Sequence, residues 1–291
     1  MKFKDKWYDA VEKKGSVLCA GLDPAEFDMG RGEKGLPEGL DKRDWTMDYL
    51  EAVAPSCAAV KPNLQYWVGD GYDMDTLEDV FIRSKDLGMV VISDSKLADI
   101  GSTNDAGIYN TLHRADAVTV APYAGNMAEI GKQAKNRGIG AITMCLMSNP
   151  EYAREKNMLV PLTESESAQF REMDLVSISG VNHVQRYKYL ANGAKQYGLD
   201  GIVIGAPSDK NHLTEGELEN ARMYVGGDIL VLLPGLGHQG GEAEMIWKYF
   251  NKENVIANVG RSLMFPNGSN STPDEQAKTA KYYMEMLNKL R

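Results

Sequence analysis

The sequence predicts an α/β fold, namely a closed (β/α)8 barrel. Short apolar runs rich in β-branched residues recur along the chain, stretches of helical character separate them, and polar side chains stand where the runs end. Strands that are covered on both faces by helices read as nearly continuous apolar runs, which is typical of a parallel sheet. A doubly wound open sheet is the alternative, because only the number and pairing of the strands distinguish the two folds.

Eight runs are candidate strands, which is the number that a closed barrel needs. In chain order they are SVLCAGL (16–22), CAAVKPN (57–63), MVVISDSK (89–96), DAVTVAPY (116–123), GAITMCLMS (140–148), GIVIGAP (201–207), DILVLLPG (228–235) and NVIANVG (254–260).

The stretches between these runs carry start and stop signals of helices. Residues 73–88, for example, begin with acidic residues, have Lys85 near the end and close with Gly88. The charged stretch 1–15 predicts a short amphipathic helix that ends at Gly15, and it lacks the long apolar segment of a signal peptide. The other candidate helices cover 44–56, 104–114, 126–138, 214–224, 242–252 and 274–290.

Two segments exceed the minimal alternation, and we interpret both as insertions on a single domain that spans residues 1–291. The first, about 25–43, follows strand one and is rich in glycine and charged residues. The second, about 149–200, follows strand five; it contains a strongly acidic part (161–174) and then a predicted helix over 181–198.

Composition narrows the function. A net charge of −9 argues against a nucleic-acid-binding protein and against binding to anionic membranes. No run of 18 apolar residues predicts a membrane span. The cysteines (Cys19, Cys57 and Cys145) lie beside apolar residues without metal-ligand spacing, and the four histidines are scattered. We therefore expect no metal site, and we expect core cysteines in a reducing, cytoplasmic compartment.

The polar residues at the end of strand three form the most informative cluster. Asp94 and Lys96 are two residues apart and share one side of a strand, and Asp99 lies just beyond it. A surface salt bridge, worth about 0–1 kcal/mol, is the structural alternative. At a partly desolvated barrel mouth, a lysine needs acids to stay charged. Such a lysine is a proton donor and not a Schiff-base nucleophile, which needs a neutral amine.

The last two strand ends favour a phosphate site. PGLGHQGG (234–241) is a glycine-rich turn that can present backbone N–H groups to an anion, and VGRS (259–262) adds the guanidinium of Arg261. Loops seven and eight hold phosphate in many barrels of this kind. Glycines that only shape turns are the alternative.

Three further strand ends carry polar candidates. Asp23 could accept hydrogen bonds from vicinal hydroxyls, or it could cap a turn before Pro24. Ser148 could serve a site at its strand end, but it precedes Asn149 and a proline, so a purely structural turn is equally consistent with the sequence. Lys61 follows an apolar strand and could place its charge in a site. The alternative is a surface lysine that buries only its aliphatic stem.

Taken together, these motifs resemble orotidine 5′-phosphate decarboxylases. DSKLADIGST (94–103) resembles the D-x-K-x-x-D-I-x-x-T motif of that family, and the other strand-end motifs follow in the family's order over about residues 16–265. The two insertions resemble those of its longer subfamily, which is also seen in parasitic protozoa and some bacteria. The other motifs are GLDP (21–24), VKPN (60–63), MSNP (147–150), PGLGHQGG and VGRS.

The resemblance implies a cytoplasmic, cofactor-independent carboxy-lyase that converts orotidine 5′-monophosphate into uridine 5′-monophosphate, the last step of de novo UMP synthesis. It implies a catalytic array of Lys61, Asp94, Lys96 and Asp99, in which Asp94 lies beside the substrate carboxylate and Lys96 stabilises and protonates the carbanion. It also implies a homodimer with shared sites, in which Asp99, Ile100 and Thr103 serve the partner's site. The implied substrate-binding residues are Asp23, Asn63, Ile100, Thr103, Ser148, Pro234, Gln239, Gly260 and Arg261.

Two other functions stay open from the sequence. A metal-dependent lyase or synthase that acts on a sugar phosphate can share the barrel and the D-x-K-x-x-D core. Such an enzyme needs a carboxylate cluster for Mg²⁺, and Lys61 is an awkward neighbour for a cation. A non-catalytic nucleotide sensor is the other alternative, although nothing in the sequence favours it.

Overall fold

Eight parallel strands close into a barrel. The computed structural model describes residues 1–69, 71–111, 114–236 and 243–291. Its strands are β1 (Leu18–Leu22), β2 (Ala59–Pro62), β3 (Val90–Leu97), β4 (Ala117–Val120), β5 (Gly140–Leu146), β6 (Leu159–Pro161), β7 (Val176–Ile178), β8 (Val181–Gln185), β9 (Gly201–Ile204), β10 (Leu230–Leu233), β11 (Val255–Val259) and β12 (Pro266–Ser269).

The order around the barrel is β1-β11-β10-β9-β5-β4-β3-β2. The ring closes because β1 pairs in parallel with both β2 and β11. Each of the eight predicted runs coincides with one barrel strand, and β3 extends one residue beyond its run. The predicted (β/α)8 barrel is therefore confirmed, and the alternative of an open sheet is wrong.

Helices surround the barrel. They are α1 (Phe3–Lys14), α2 (Lys42–Val53), α3 (Gly71–Asp86), α4 (Gly101–Thr111), α5 (Met127–Arg137), α6 (Tyr152–Glu155), α7 (Glu164–Ser167), α8 (Arg186–Gln196), α9 (Glu215–Val225), α10 (Glu244–Trp247), α11 (Arg261–Met264) and α12 (Pro273–Leu290). Within the described ranges, no helix is both long enough and apolar enough to cross a membrane.

The predicted helix over 242–252 is wrong in extent. Residue 242 lies outside the described residues, and the regular helix covers only Glu244–Trp247. One further turn closes when the Phe250 N–H donates to the Ile246 carbonyl at 3.0 Å. Asn251 then takes an extended backbone conformation (φ −60°, ψ 150°), which ends the helical path.

Helix α1 covers the end of the barrel where the strands begin. It ends at Gly15, whose left-handed conformation (φ 58°) is the usual glycine termination of a helix. Trp7 is fully buried and donates from its indole to the Glu253 carbonyl at 2.6 Å. Phe3 packs against Gly140 so closely that a Cβ at Gly140 would lie 2.4 Å from its ring. The opposite end of the barrel therefore remains available for a site.

A buried lysine anchors the segment that we predicted as the first insertion, about 25–43. Lys42 Nζ donates to Glu26 Oε1 at 2.9 Å, to the Tyr66 carbonyl at 2.6 Å and to Asp73 Oδ1 at 3.0 Å. It also lies 4.8 Å from the ring centroid of Trp67. These contacts join the loop after β1, the loop after β2 and helix α3, so Lys42 fixes two loops at the same end of the barrel.

The segment that we predicted as the second insertion, about 149–200, carries a small antiparallel sheet in the order β6-β8-β7. The predicted helix over 181–198 is therefore wrong at its start: 181–185 form β8, and helix begins only at Arg186. Ser179 and Gly180, both with positive φ, form the two-residue turn between β7 and β8. Such a turn matches the twist of an antiparallel hairpin, which explains why the chain pairs here.

One carboxylate, that of Asp174, joins this segment to helix α9. Asp174 accepts from Arg171 at 2.7 Å, from Lys188 at 2.6 Å and from the Tyr224 hydroxyl at 2.5 Å. Burial alone would raise the pKa of Asp174, but these hydrogen bonds and the Lys188 charge outweigh it and lower the pKa to about 2. Asp174 thus links its own turn to α8, which lies in the same segment, and to α9 outside it.

Candidate active site

Polar side chains meet where the barrel strands end. Lys61 is on β2, Asp94 and Lys96 are on β3, and Thr119 is on β4. A single bridge pairs Asn63 with Asp94, which places the ends of β2 and β3 side by side. Because parallel strands end at the same side of a barrel, residues far apart in sequence converge at this mouth.

Asp94 lies between two lysines. Lys61 Nζ is 2.5 Å from Asp94 Oδ2, and Lys96 Nζ is 2.8 Å from Asp94 Oδ1. The Lys61 and Asp94 side chains are 7% and 10% exposed, whereas the Lys96 side chain is 39% exposed. The sequence placed Asp94 beside Lys96, and the two do lie together. Lys96 has the accessible ammonium of the three-residue array.

Mutual attraction fixes the charge states of the buried pair. Burial would lower the pKa of Lys61, but the charges of Asp94 and Asp23 and the hydrogen bond to Asp94 raise it to about 12. Burial would raise the pKa of Asp94, yet the two lysines hold it well below its usual range. Both groups are therefore charged at neutral pH.

The backbone at Lys96 departs from a regular strand. Lys96 has a left-handed conformation (φ 48°), and the register between β3 and β4 shifts between Ser93 and Leu97. The Lys96 N–H donates to Thr119 Oγ1 at 2.9 Å, and this hydroxyl donates to Asp94 Oδ1 at 2.8 Å. Thr119 was not predicted as a site residue, because a threonine within an apolar run looks like any β-branched strand residue.

Asp23 lies near the array with an unused acceptor. Its Oδ1 is buried and has no hydrogen-bond partner among the described residues. Burial raises the pKa of Asp23, the charge of Asp94 adds to this, and the positive charges of Lys61, Lys96 and Arg261 oppose it. A buried carboxylate oxygen without a partner is costly, and a bound hydroxyl would satisfy it.

The end of β11 approaches β1 very closely. A Cβ at Gly21 would lie 2.8 Å from Gly260 Cα, so the ends of the two strands can approach this closely only because Gly21 has no side chain. A Cβ at Gly260 would meet no described atom within 4 Å, which leaves open space above it. The Arg261 side chain is exposed and forms no ion pair within the described ranges. Gln239, the third predicted phosphate contact, lies outside the described residues.

Ser148 lines a neighbouring cavity. The cavity has a volume of about 280 Å³ and is also lined by Asn149, Ala206, Ser208 and Asn211. Ser148 fits there because the facing Gly205 has no side chain: a Cβ on that glycine would lie 2.6 Å from Ser148 Cβ. The Ser148 side chain therefore faces this cavity, and its predicted contact with a substrate remains a prediction.

Pro234 and Asn63 have backbone and capping roles. The Pro234 carbonyl accepts from the Ala206 N–H at 2.8 Å, which ties the end of β10 to the end of β9. Asn63 Oδ1 accepts from the Gln65 N–H at 3.3 Å and caps a short 3-10 turn. Their predicted contacts with a substrate remain predictions.

Asp99, Ile100 and Thr103 are exposed on the surface of their own chain. Asp99 is exposed, and its carboxylate accepts from the Ile100 N–H at 2.8 Å. Ile100 is 61% exposed, and Thr103 is exposed on helix α4. Asn126 donates to the Asp99 carbonyl at 3.0 Å, which holds this loop against the start of α5.

The described residues hold no cluster of three or more carboxylate, histidine or cysteine side chains that could bind a metal ion. All three cysteines are buried and unpaired. Burial raises the pKa of the Cys19 and Cys145 thiols to about 12 and that of Cys57 well above its usual value. The thiols are therefore neutral core groups at neutral pH.

Sequence comparison assigns the family. The model of the Orotidine 5′-phosphate decarboxylase / HUMPS family matches residues 16–270. An orotidine 5′-phosphate decarboxylase from Corynebacterium glutamicum is 31% identical over 280 residues, which cover 93% of this chain and 90% of the relative. The chain belongs to this family.

Other relatives extend the match over the whole chain. An orotidine 5′-phosphate decarboxylase from Variovorax paradoxus is 27% identical over 294 residues, which cover 99% of this chain and 98% of the relative. The sequence prediction of this decarboxylase family is confirmed, and the predicted enzyme class, a carboxy-lyase, agrees with the names of these relatives.

Solved structures support the same fold. The OMP decarboxylase of Leishmania donovani has a TM-score of 0.73 and 19% identity, and the alignment covers 100% of this chain and 98% of that one. The orotidine 5′-monophosphate decarboxylase of Methanocaldococcus jannaschii, complexed with the inhibitor BMP, has a TM-score of 0.62 and 23% identity. The alignment covers 93% of this chain and 98% of the Methanocaldococcus jannaschii chain. At these identities the likeness supports the barrel and not the chemistry.

Besides Thr119, one more polar residue of this decarboxylase-family barrel escaped the sequence analysis. Asn258 on β11 pairs in register with Cys19 on β1, and paired residues of parallel strands point to the same side. Asn258 is 8% exposed, and its Oδ1 has no hydrogen-bond partner among the described residues. An asparagine in the run NVIANVG was the available signal, since a polar residue in a buried strand needs a partner.

Proposed function

We propose that the protein decarboxylates orotidine 5′-monophosphate to uridine 5′-monophosphate and CO2, without a metal or an organic cofactor, as the last step of de novo UMP synthesis. The observation that carries the proposal is the alternating array of Lys61, Asp94 and Lys96 at the barrel mouth of a chain that belongs to this family. Such an array offers fixed charges of both signs at one point.

The reaction breaks the bond between the pyrimidine ring and its carboxylate. The electron pair of that bond remains on the ring carbon as CO2 leaves, and a proton then has to reach this carbon. Lys96 is the candidate donor, because its side chain is the accessible one of the two lysines that contact Asp94. A pre-placed ammonium stabilises the developing carbanion more than the ground-state carboxylate, which is what catalysis requires. Solvent returns the proton to Lys96.

Asp94 supplies the opposing charge. The lysines keep the pKa of Asp94 well below its usual range, so it stays ionised when a substrate carboxylate approaches. Two carboxylates at close range repel each other, and departure of CO2 relieves that repulsion. Lys61 holds Asp94 from the opposite side at 2.5 Å and prevents it from turning away.

Binding energy for the rest of the nucleotide comes from the surrounding strand ends. Asp23 Oδ1 is available for a ribose hydroxyl, and the exposed Arg261 beside the open space at Gly260 suits a phosphate. Gln239 would complete the phosphate contacts. We assign Ser148 to the pyrimidine edge, with Pro234 and Asn63 beside it.

The active site is completed across a homodimer. Asp99, Ile100 and Thr103 are exposed on their own chain, and the Asp99 carboxylate accepts from the neighbouring Ile100 N–H. In the dimer, the partner subunit's Asp99 joins the array, and the partner subunit's Ile100 and the partner subunit's Thr103 contact the substrate. The exposed apolar side chain of Ile100 suits an interface.

Loss of the ultraviolet absorbance of orotidine 5′-monophosphate on addition of enzyme tests the reaction. We expect equal rates with and without EDTA, and uridine 5′-monophosphate as the product. The matched control is Lys96→Ala, which should remain folded and lose turnover. Absence of turnover by the wild-type protein would refute the proposal, and magnesium-dependent turnover of a sugar phosphate would favour the synthase alternative.

A further inference from the structure

The Thr119 hydroxyl connects the two central residues of the array through one oxygen atom. It is on β4, it is 1% exposed, and it donates to Asp94 Oδ1 at 2.8 Å while it accepts from the Lys96 N–H at 2.9 Å. Thr119 thus contacts the side chain of Asp94 and the backbone of Lys96, which belong to the neighbouring strand.

Chemistry fixes the direction of both hydrogen bonds. A hydroxyl has one proton to donate and lone pairs to accept, and an ionised carboxylate can only accept. Asp94 is ionised between the two lysines, so the Thr119 proton points to Asp94 Oδ1. The lone pairs then face the Lys96 N–H. The threonine therefore fits one arrangement only, in which Asp94 is charged and the Lys96 peptide is turned toward β4.

The Lys96 peptide needs such a partner. A left-handed conformation is unfavourable for a lysine and persists only where surrounding contacts hold it. The register shift between Ser93 and Leu97 removes regular strand pairing at this point. An irregularity of this kind re-aims a side chain near an active site. Here the Thr119 hydroxyl replaces the missing carbonyl as the acceptor for the Lys96 N–H.

We propose that Thr119 is a positioning residue: it holds the backbone of Lys96 in its left-handed conformation and orients Asp94, and so sets the geometry between the carboxylate and the ammonium. Asp94 Oδ2 is held by Lys61, and Asp94 Oδ1 is held by Lys96 and Thr119. Without the hydroxyl, the carboxylate is held by the lysines alone, and the Lys96 peptide loses its acceptor. The inference rests on the proposed function, because it assigns the consequence to turnover.

The test compares Thr119→Val and Thr119→Ser. Valine keeps the shape and removes both hydrogen bonds, so we expect kcat for orotidine 5′-monophosphate to fall about 10- to 100-fold, the range typical when hydrogen bonds that orient a catalytic group are lost. The KM should change little, because ribose and phosphate contacts are untouched. Serine retains the hydroxyl and should restore kcat to within about threefold of the wild type, a loss small against that range.

Thr143→Val is the matched control. Thr143 is a fully buried threonine on the adjacent strand β5. It is in register with Val120, which follows Thr119 on β4. Because successive residues of a strand point to opposite sides, Thr143 points away from the side on which Thr119 contacts the array. Its replacement should leave kcat unchanged. Thermal denaturation of each variant separates turnover from folding, and Thr119→Val should retain a cooperative transition and bind uridine 5′-monophosphate, measured by calorimetry, as the wild type does.

The outcomes distinguish this inference from the function on which it rests. If the wild-type protein shows no turnover, the proposed decarboxylase function is refuted, and the proposed effect of Thr119 on kcat is refuted with it. An active wild type with Thr119→Val at unchanged kcat overturns the positioning role alone. A Thr119→Ser variant as slow as the valine variant also overturns it, because packing and not the hydroxyl would then be responsible.

Discussion

Lys61 Nζ lies 2.5 Å from Asp94 Oδ2, and the two side chains are 7% and 10% exposed. The residues are on adjacent strands, so the barrel itself brings them together. Removing two charges from water is expensive, and a buried ion pair often stabilises a fold no better than apolar residues of the same size. The pair is therefore better explained by the charges that it presents at the mouth than by a contribution to stability.

Lys61→Met should destabilise the fold and abolish turnover. The substitution leaves a buried carboxylate whose remaining lysine, Lys96, is 39% exposed. Removing one partner of a buried pair typically costs about 3–5 kcal/mol, and the retained contact with Lys96 places the expectation at the lower end, near 3 kcal/mol. Urea denaturation at pH 7 measures it. Lys289→Met, at an exposed position of α12, is the control and should change little.

The effect of Lys61→Met should also depend on pH. Asp94 has a lowered pKa in the folded state, so its stabilising contribution is present above the unfolded pKa of about 3.9 and is lost as the pH falls below it. The difference between wild type and variant should therefore be largest near neutral pH and shrink below about pH 4. A variant as stable as the wild type at pH 7 would contradict the importance of the pair.

Asp23→Asn should weaken substrate binding without loss of stability. The raised pKa of Asp23 means that folding disfavours its charged form, so above the unfolded pKa the carboxylate lowers the stability of the fold. The amide removes that penalty at pH 7. We expect a KM raised at least about tenfold, the cost of one lost charge-assisted hydrogen bond, together with a urea midpoint equal to or above that of the wild type.

Asp48→Asn provides the comparison for Asp23→Asn, since Asp48 is exposed on helix α2. It should change neither the KM nor the urea midpoint. If Asp23→Asn lowered the midpoint instead, Asp23 would be a structural acceptor, as the turn before Pro24 would require. That result would favour the capping alternative over the ribose contact.

The barrel was predictable because its physical pattern is local. A parallel strand that is buried on both faces appears as a run of apolar residues, and all eight runs became barrel strands. The small sheet of the second insertion was missed because β6 and β7 have three residues each and are largely exposed. Ser179 and Gly180 between two β-branched segments were the available signal, and they form the turn.

The array was partly predictable for a different reason. The spacing of Asp94 and Lys96 predicts a common side on a regular strand, and the two side chains do meet, although the backbone at Lys96 is not that of a regular strand. The Thr119 contact could not be predicted in this way, because it depends on the register shift between β3 and β4 and on the unusual backbone of Lys96. Likewise, the sequence shows Lys42 only as a lysine near the start of a predicted helix. Its ion pairs with Glu26 and Asp73 depend on the fold, which brings these residues together.

Mixing two inactive variants should restore activity. In the proposed dimer, Lys96→Ala removes the proton donor and Asp99→Ala removes the residue given to the other site. A mixed dimer then contains one site with both defects and one site with neither. Each variant alone should be inactive, and subunit exchange in an equal mixture should recover about a quarter of wild-type turnover, if half of the dimers are mixed and each has one intact site.

Subunit exchange has to be demonstrated independently in that experiment, for example with differently tagged chains that co-purify. A mixture of Lys96→Ala with Asp94→Ala is the matched control. Both residues belong to the same array, so no mixed dimer holds an intact site and no rescue is expected. Exchange without rescue in the Lys96→Ala and Asp99→Ala mixture would show that Asp99 does not act across the interface.

Asp174→Asn should lower the stability of the second insertion and change its response to acid. The folded pKa of Asp174 is about 2, below the unfolded value of about 3.9, so its contribution is present above about pH 4 and lost as the pH falls toward 2. We expect a loss on the order of 1 kcal/mol at pH 7 after allowance for solvent screening of this network, which includes the half-exposed Arg171. Urea denaturation from pH 2 to pH 7 measures it.

Glu172→Gln is the matched control for Asp174→Asn, because Glu172 is an exposed carboxylate in the same 3-10 turn. It should leave stability unchanged at each pH. The Asp174→Asn protein should converge with the wild type near pH 2, where Asp174 loses its charge in both the folded and the unfolded state. A constant difference down to that pH would show that the loss does not come from the charge on Asp174, since both proteins then lack that charge near pH 2.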